Sequence, residues 1–242
     1  MKKNKKSKQK DNSPYVFQDE KLKGKIQFKN KIKWTDKQLQ FINLATNKET
    51  KIIFIKGPAG TSKSLLAVYA SLLLLDEKKI SEIMYIRSAV ESSDSKMGFL
   101  PGTSDEKMAF YNLPFLDKLE ELLPRPEIES LKKQEKVSCF STNFARGMSW
   151  NAKSIILDEA QNSSRKEIVT ILTRLGQFSK CFLLGDPLQV DLNYGKSGFE
   201  EIYGIFDNEE SRAQGIYTFE FSEDDIMRSE LVKFIVKKLK TS

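Results

Sequence analysis

The sequence has no histidine and only two cysteines among its 242 residues. Without imidazole, Ser/His and Cys/His nucleophilic centres are excluded, as is a zinc site built from cysteine and histidine. Cys139 and Cys181 each fall within a run of strand character, which reads as a pair of buried structural thiols. Long apolar runs are missing too. The longest, Leu65 to Leu75, has eleven residues, where a membrane span needs about 20. The lysine-rich N-terminus lacks the apolar stretch of a secretory signal, so the expected location is the cytoplasm, with no membrane partner. Chemistry is left to carboxylates, Lys, Arg, hydroxyls and a bound metal.

Charge is plentiful but unevenly placed. The formal net charge is +7; residues 1–33 hold twelve Lys against three acids, net +9, which leaves residues 34–242 at about −2. The first dozen residues, MKKNKKSKQKDN, offer nothing to bury. Residues 1–33 therefore read as a basic, disordered tail and 34–242 as one domain. Such a tail serves solubility, or acts as a nonspecific arm for nucleic acid phosphates.

From residue 51 onward, β-rich runs alternate with helical patterns. Strands are expected at 51–56, 82–87, 136–140, 153–157, 180–184 and 216–221. Helices are expected at 36–47, 63–77, about 106–123, 164–176 and 229–240. Near-continuous apolar strands separated by helices predict a three-layer α/β core around a largely parallel sheet. Ser88 to Ser104, with five serines and three glycine or proline residues, reads as a long loop.

The first expected strand runs into GPAGTSKS, which comes close to the phosphate-loop pattern GxxxxGK[ST]. Gly57, Pro58, Ala59, Gly60, Thr61, Ser62, Lys63, Ser64 and the following Leu65 are the candidate nucleotide-binding residues. A glycine-rich turn between strand and helix aims backbone N–H groups at a phosphate. Lys63 would reach the β- and γ-phosphates and Ser64 would ligate Mg²⁺. Ser62 stands where the pattern has its second glycine; serine is small and suits a helix N-terminus, so the loop is expected to close.

About ninety residues on, the strand SIIL runs into DEAQN, which puts Asp158 and Glu159 at a strand's C-terminal end, where open α/β sheets bind ligands. Asp158 is expected to hold Mg²⁺ and Glu159 to orient and deprotonate the attacking water. A third strand, CFLL, ends in GDPLQVD. Alone, this segment is a Gly-Asp-Pro turn; as the third strand end in order, it offers Gln189 to sense the γ-phosphate or position the water, with Asp186 in support.

Together these segments resemble the PhoH-like family of P-loop ATPases, whose RecA-like core is similar to the first motor domain of superfamily 1 helicases. The resemblance covers roughly Trp34 to Val232. It rests on WTDKQ, GPAGTSKS, MGFLPG, FARGMSW, ILDEAQN, GDPLQVD with YGKSGFEE, and DDIMRSELV. It implies ATP as nucleotide, Mg²⁺ as cofactor and Gln38 as an adenine-reading glutamine. It also favours functional roles for Arg146 in the nucleotide site and for Arg228 as a transition-state finger. Besides Ser62, the chain departs from the family at Arg87-Ser88, where Arg-Pro is usual, and at Arg228-Ser229-Glu230, where Arg-His-Pro is usual. Longer members join a nuclease domain, for which no residues remain here, so nuclease activity is not expected.

The resulting expectation is an ATP hydrolase that binds RNA or single-stranded DNA and remodels it in a helicase-like manner. Arg87 is a candidate contact to the strand backbone. An ATPase acting on protein partners or a small substrate, and a nucleic-acid-binding protein that barely hydrolyses ATP, are the alternatives. Only one motor core fits in the chain, which points to a homo-oligomer, a hexameric ring by family resemblance, with Arg228 completing a neighbour's site.

Overall fold

The computed structural model describes residues 25–29, 32–87, 104–142, 149–190, 197–227 and 230–240. Helix α1 (Asp36–Thr46) precedes β1 (Ile52–Lys56), followed by α2 (Lys63–Asp76), β2 (Glu82–Arg87), α3 (Ser104–Leu122), α4 (Arg125–Lys133) and β3 (Val137–Ser141). The rest comprises β4 (Lys153–Asp158), α5 (Arg165–Leu172), β5 (Lys180–Gly185), α6 (Phe199–Phe206), α7 (Glu209–Ala213), β6 (Ile216–Glu220) and α8 (Glu230–Lys240). The strands form one sheet in the order β3-β2-β4-β5-β1-β6, with every described pairing parallel.

Alternation along each strand feeds two cores, as the pleat requires. Ile53, Ile55, Ile83, Tyr85, Ile156, Phe182 and Leu184 face the side covered by α1, α2 and α3. Phe54, Met84, Ile86, Ile155, Leu157, Cys181 and Leu183 face the side covered by α5 and α6. The sheet is buried on both faces, which is why its strands read as continuous apolar runs rather than alternating ones. Of the two thiols, Cys181 is buried and Cys139, on the edge strand β3, only half-buried. Among the described residues no helix is long and apolar enough to cross a membrane.

The six strands lie within a residue of their expected positions, whereas the helices differ in two ways. Expected helix 164–176 stops at Leu172, because the next residues pair with the chain entering β4: Trp150 N–H donates to Arg174 O and Gly176 N–H to Trp150 O. Helices α4, α6 and α7 were not expected. Pro124 and Pro126 look like breakers, yet α4 tolerates a proline in its first turn, and Gly204 interrupts the pattern of α6. The stretch grouped by charge with the tail also contributes to the fold: Ile26 is buried and its N–H donates to Asp76 Oδ1 at 2.7 Å, while Phe28 packs edge-on against Tyr69. Most of the expected loop 88–104 lies outside the described residues, and Ser104 opens α3.

At the end of the sheet opposite the strand C-termini, Lys180 is buried and donates to Asn47 O and Thr50 O, both at 2.6 Å. It thereby closes the C-terminus of α1. Burial, helped by Lys79 and opposed by Glu49, pushes its pKa down to about 8. Between about 8 and the ordinary lysine value the unfolded chain binds the extra proton, so this residue's contribution to stability grows as pH rises through that window. Denaturant unfolding should therefore find the gap between the parent and Lys180→Met wider at pH 10 than at pH 7.5; a constant gap would contradict the assignment.

Candidate functional site

The phosphate loop leaves β1 at Gly57. A Cβ there would sit 2.8 Å from Phe221 Cβ and 3.0 Å from its carbonyl oxygen, so only glycine fits. Gly60 has φ 87°, open to glycine at little cost. Ser62 also lies in the left-handed region, at φ 64° and ψ 23°, and its side chain makes no capping bond to α2. The expectation that serine suits this spot as a helix cap is therefore corrected: it occupies a glycine conformation and gains no cap in return. Thr61 is fully buried, with Oγ1 on Pro58 O at 2.9 Å. Lys63 turns back over the loop, donating to Gly57 O at 2.6 Å and Pro58 O at 3.0 Å. Burial lowers its pKa, and Asp186, Asp158 and Glu159 pull in the opposite direction.

Helix α2 docks on β4 through small residues: Ser71 donates to Ala67 O and meets Ser154 Oγ at 2.7 Å. Seven residues back along α2 and four residues forward along β4, about 10 Å and about 13 Å, the same two elements meet again. Ser64 Oγ lies 3.0 Å from both Asp158 oxygens. Asp158 is buried and also accepts from Glu159 N–H at 3.1 Å and from the Tyr85 hydroxyl. Tyr85 has its own pKa raised by burial first and by Asp158 second, so it stays a donor.

Glu159 sits at φ 52°, a strained conformation for a side chain of its size. Burial and then Asp158 raise its pKa, against the opposing effects of Gln161, Arg87 and Lys63. A carboxylate shifted in this way is a better proton acceptor near neutral pH than an ordinary glutamate. Gln161, almost completely buried, donates Nε2–H to Glu159 Oε2 at 2.6 Å and to Gln189 O at 3.0 Å, and accepts Asp186 N–H at 3.1 Å. Asp186 Oδ1 accepts Leu188 N–H, holding the turn that presents Gln189.

Most of these groups line one cavity of about 550 Å³; Gly57, Pro58, Thr61 and Tyr85 do not line it. Ala59, Gly60, Ser62, Lys63, Ser64, Asp158, Glu159 and Gln189 form its phosphate end, while Trp34, Gln38 and Leu65 lie in the same wall. Gln38 is buried and its Oε1 accepts Thr35 N–H at 3.0 Å as part of the α1 capping box. Its Nε2 is the group left to meet a base. Arg146 and Arg228 fall outside the described residues. Met227, immediately before Arg228, lines the cavity and donates its N–H to Gly60 O at 2.9 Å, which ties this part of the chain to the phosphate loop.

The donor set suits Mg²⁺: one hydroxyl and one carboxylate in contact, both hard oxygen ligands, beside a phosphate cradle. Among the described residues no group of three or more His, Cys, Asp or Glu could hold a metal by itself. A Mg²⁺ ion that takes its other ligands from phosphates and water needs no such group.

The sequence profile of the PhoH-like protein family matches residues 31–240. The chain belongs to the PhoH-like protein family. It is 36% identical over 186 residues to the PhoH-like protein of Mycobacterium leprae (strain TN), covering 76% of this chain and 52% of the relative. It is 35% identical over 199 residues to the PhoH-like protein of Bacillus subtilis (strain 168), covering 80% and 60%. Protein PhoH of Escherichia coli (strain K12) is 32% identical over 197 residues, covering 80% and 54%. The chain thus spans about half the length of the curated relatives it matches. Among solved structures, the large terminase of a thermophilic bacteriophage superposes with a TM-score of 0.50 at 11% identity, over 86% of this chain and 50% of that one. That likeness shows the fold alone, an α/β core around a parallel sheet.

Two residues at the centre of this PhoH-like site were not singled out in the sequence. Gln161 lies inside DEAQN, and a glutamine two residues past the acid pair on a strand end was a legible signal. Tyr85 was hidden in an apolar strand, where a tyrosine passes for core. The departure at Ser62 has a measurable consequence. An L-residue in the left-handed region costs about 1–2 kcal/mol, and glycine's own chain entropy offsets part of the relief. Ser62→Gly should stabilise the protein by about 1 kcal/mol in denaturant unfolding with nucleotide binding retained; a net loss would mean that the hydroxyl has a role of its own.

Proposed function

We propose that the protein is a Mg²⁺-dependent ATP hydrolase that binds RNA or single-stranded DNA and couples hydrolysis to remodelling it. The observation that carries the reading is the convergence on one cavity of Lys63, the Ser64–Asp158 contact and the buried, pKa-raised Glu159. Lys63 exchanges loop carbonyls for phosphate oxygens, and the loop N–H groups with the α2 N-terminus hold the rest. Ser64 and Asp158 would hold Mg²⁺, which would supply neutralisation of phosphoryl charge. Glu159, fixed by Gln161, orients the attacking water and takes its proton. Gln189 stands at the exposed rim as the γ-phosphate sensor, and Gln38 donates to the adenine.

The polymer assignment is supported by Arg87, which is in register with Asp158 at the same edge of the sheet, and by the net +9 of residues 1–33. An ATPase acting on a protein partner is favoured by a different observation: Leu231, Phe234 and Ile235 of α8 are all exposed. Steady-state hydrolysis separates the two. The preferred reading expects strong stimulation by single-stranded RNA or DNA, and loss of residues 1–24 should flatten the salt dependence of polymer binding by about 0.7 per lost phosphate contact. Indifference to both polymers would support the protein partner. In either case Glu159→Gln should keep ATP bound and slow its cleavage by about 10² to 10⁴, while Lys63→Ala weakens phosphate binding.

A second copy of the chain, in a ring, is proposed to supply Arg228 to each site. Met227, which lines the cavity, and Leu188 and Val190, the chain neighbours of the lining residue Gln189, are exposed apolar residues, which supports a covering surface. An arginine finger contributes about 10³ to 10⁵ in rate, so mixing two inactive variants is informative. Lys63→Ala keeps the arginine and Arg228→Ala keeps the cradle. Mixed assemblies should regain hydrolysis at interfaces that combine both halves; no recovery despite demonstrated subunit exchange would put Arg228 in its own subunit's site or outside catalysis.

A further inference from the structure

We infer that Tyr85 is a positioning residue for divalent-cation binding, its phenol fixing the Asp158 carboxylate independently of Ser64; this rests on the proposed role of Asp158 as a metal holder. In the register of β2 and β4, Tyr85 stands opposite Ile156. Asp158 lies two residues further along β4 on the same face of the sheet, a diagonal that a long side chain can span. Tyr85 is fully buried, its ring stacked on Phe115 with centroids 4.8 Å apart and planes at 10°. A hydroxyl in that position must have a partner, and it is Asp158 Oδ2.

The donor inventory of Asp158 shows what the phenol adds. Oδ1 accepts from Glu159 N–H and Ser64; Oδ2 accepts from Ser64 and Tyr85. Ser64 is also the hydroxyl proposed to ligate the cation. Once it turns to that task, Tyr85 is the side-chain donor that remains on Oδ2 among those described. Without it, one oxygen of a buried carboxylate has no fixed direction and the ligand set loses its preorganisation.

The test uses the full chain, ADP and Mn²⁺, with bound Mn²⁺ read by electron paramagnetic resonance. Tyr85→Phe keeps the ring and removes one oxygen. It should bind Mn²⁺ in the presence of ADP about 10-fold more weakly than the parent, with ADP affinity in EDTA unchanged. Phe115→Leu disturbs the stack but keeps the phenol, and should retain the parent's Mn²⁺ affinity. Equal Mn²⁺ affinity in Tyr85→Phe and the parent overturns the inference, as does an equal loss in both variants, which would make packing the cause. A parent that binds ADP but no Mn²⁺ overturns the metal-holding role itself. Loss of ADP binding in EDTA by Tyr85→Phe would make the phenol a support of the fold rather than of the cation site, and would likewise overturn the inference.

Discussion

A carboxylate taken out of water at the end of an apolar strand must be surrounded by donors, because an unpaired buried charge costs several kcal/mol. Asp158 is in that position, following Ser154, Ile155, Ile156 and Leu157, all fully buried. Its donors come from three elements: Ser64 at the start of α2, Tyr85 in β2, and the backbone of Glu159 beyond β4. Satisfying one side chain therefore fixes where α2 begins relative to the sheet. The phosphate loop, which is the connection between β1 and that starting point, inherits its shape from the same requirement. The Ser71–Ser154 contact two turns further down the helix keeps the axis close enough for Ser64 to reach.

Anchoring the phosphate loop at both ends accounts for the backbone strain at Ser62. Gly57 is pressed against Phe221, and the chain must reach Ser64 seven residues later, already helical. Ser62 and Glu159 flank the cavity in left-handed conformations, one before α2 and the other after β4. Each costs about 1–2 kcal/mol, and neither side chain is glycine or asparagine, which take this region most easily. The cost is offset by the cores on both faces of the sheet, where the central strands are fully buried. The Glu159 side chain is held beside the cradle by the Gln161 amide, which donates to its Oε2 at 2.6 Å.

Strand positions and the identity of the phosphate loop were legible in the sequence because both depend on local features: apolar runs, and a fixed order of Gly, Lys and Ser. The acid pair at the end of β4 was legible for the same reason. Ser62 was visible as a substitution, but its φ was not, so it was read as a cap. Helix α4 was hidden by Pro124 and Pro126, and α5 was overextended because the pairing of Trp150 with Arg174 and Gly176 is a tertiary contact. Tyr85 could not be assigned without the sheet register, since only the pairing of β2 with β4 brings it diagonal to Asp158. Gln161 needed the strand order, because its partners lie on the ends of two neighbouring strands.

That strand order gives Gln161 a further consequence. β5 lies directly beside β4, so the turn that carries Gln189 leaves the sheet next to the one that carries Glu159. Gln161 fills the gap with an amide whose two ends are both committed: nitrogen to Glu159 and to Gln189 O, oxygen to Asp186 N–H. The orientation is dictated, since a flipped amide would place donor against donor at Asp186 and acceptor against acceptor at Glu159. A displacement of the 186–189 turn would therefore rotate the amide and draw Glu159 with it, at a hydrogen bond of only 2.6 Å. In a site of this construction, what touches Gln189 at the rim and what Glu159 does to water are parts of one hydrogen-bonded network, carried by the two strands at the centre of the sheet.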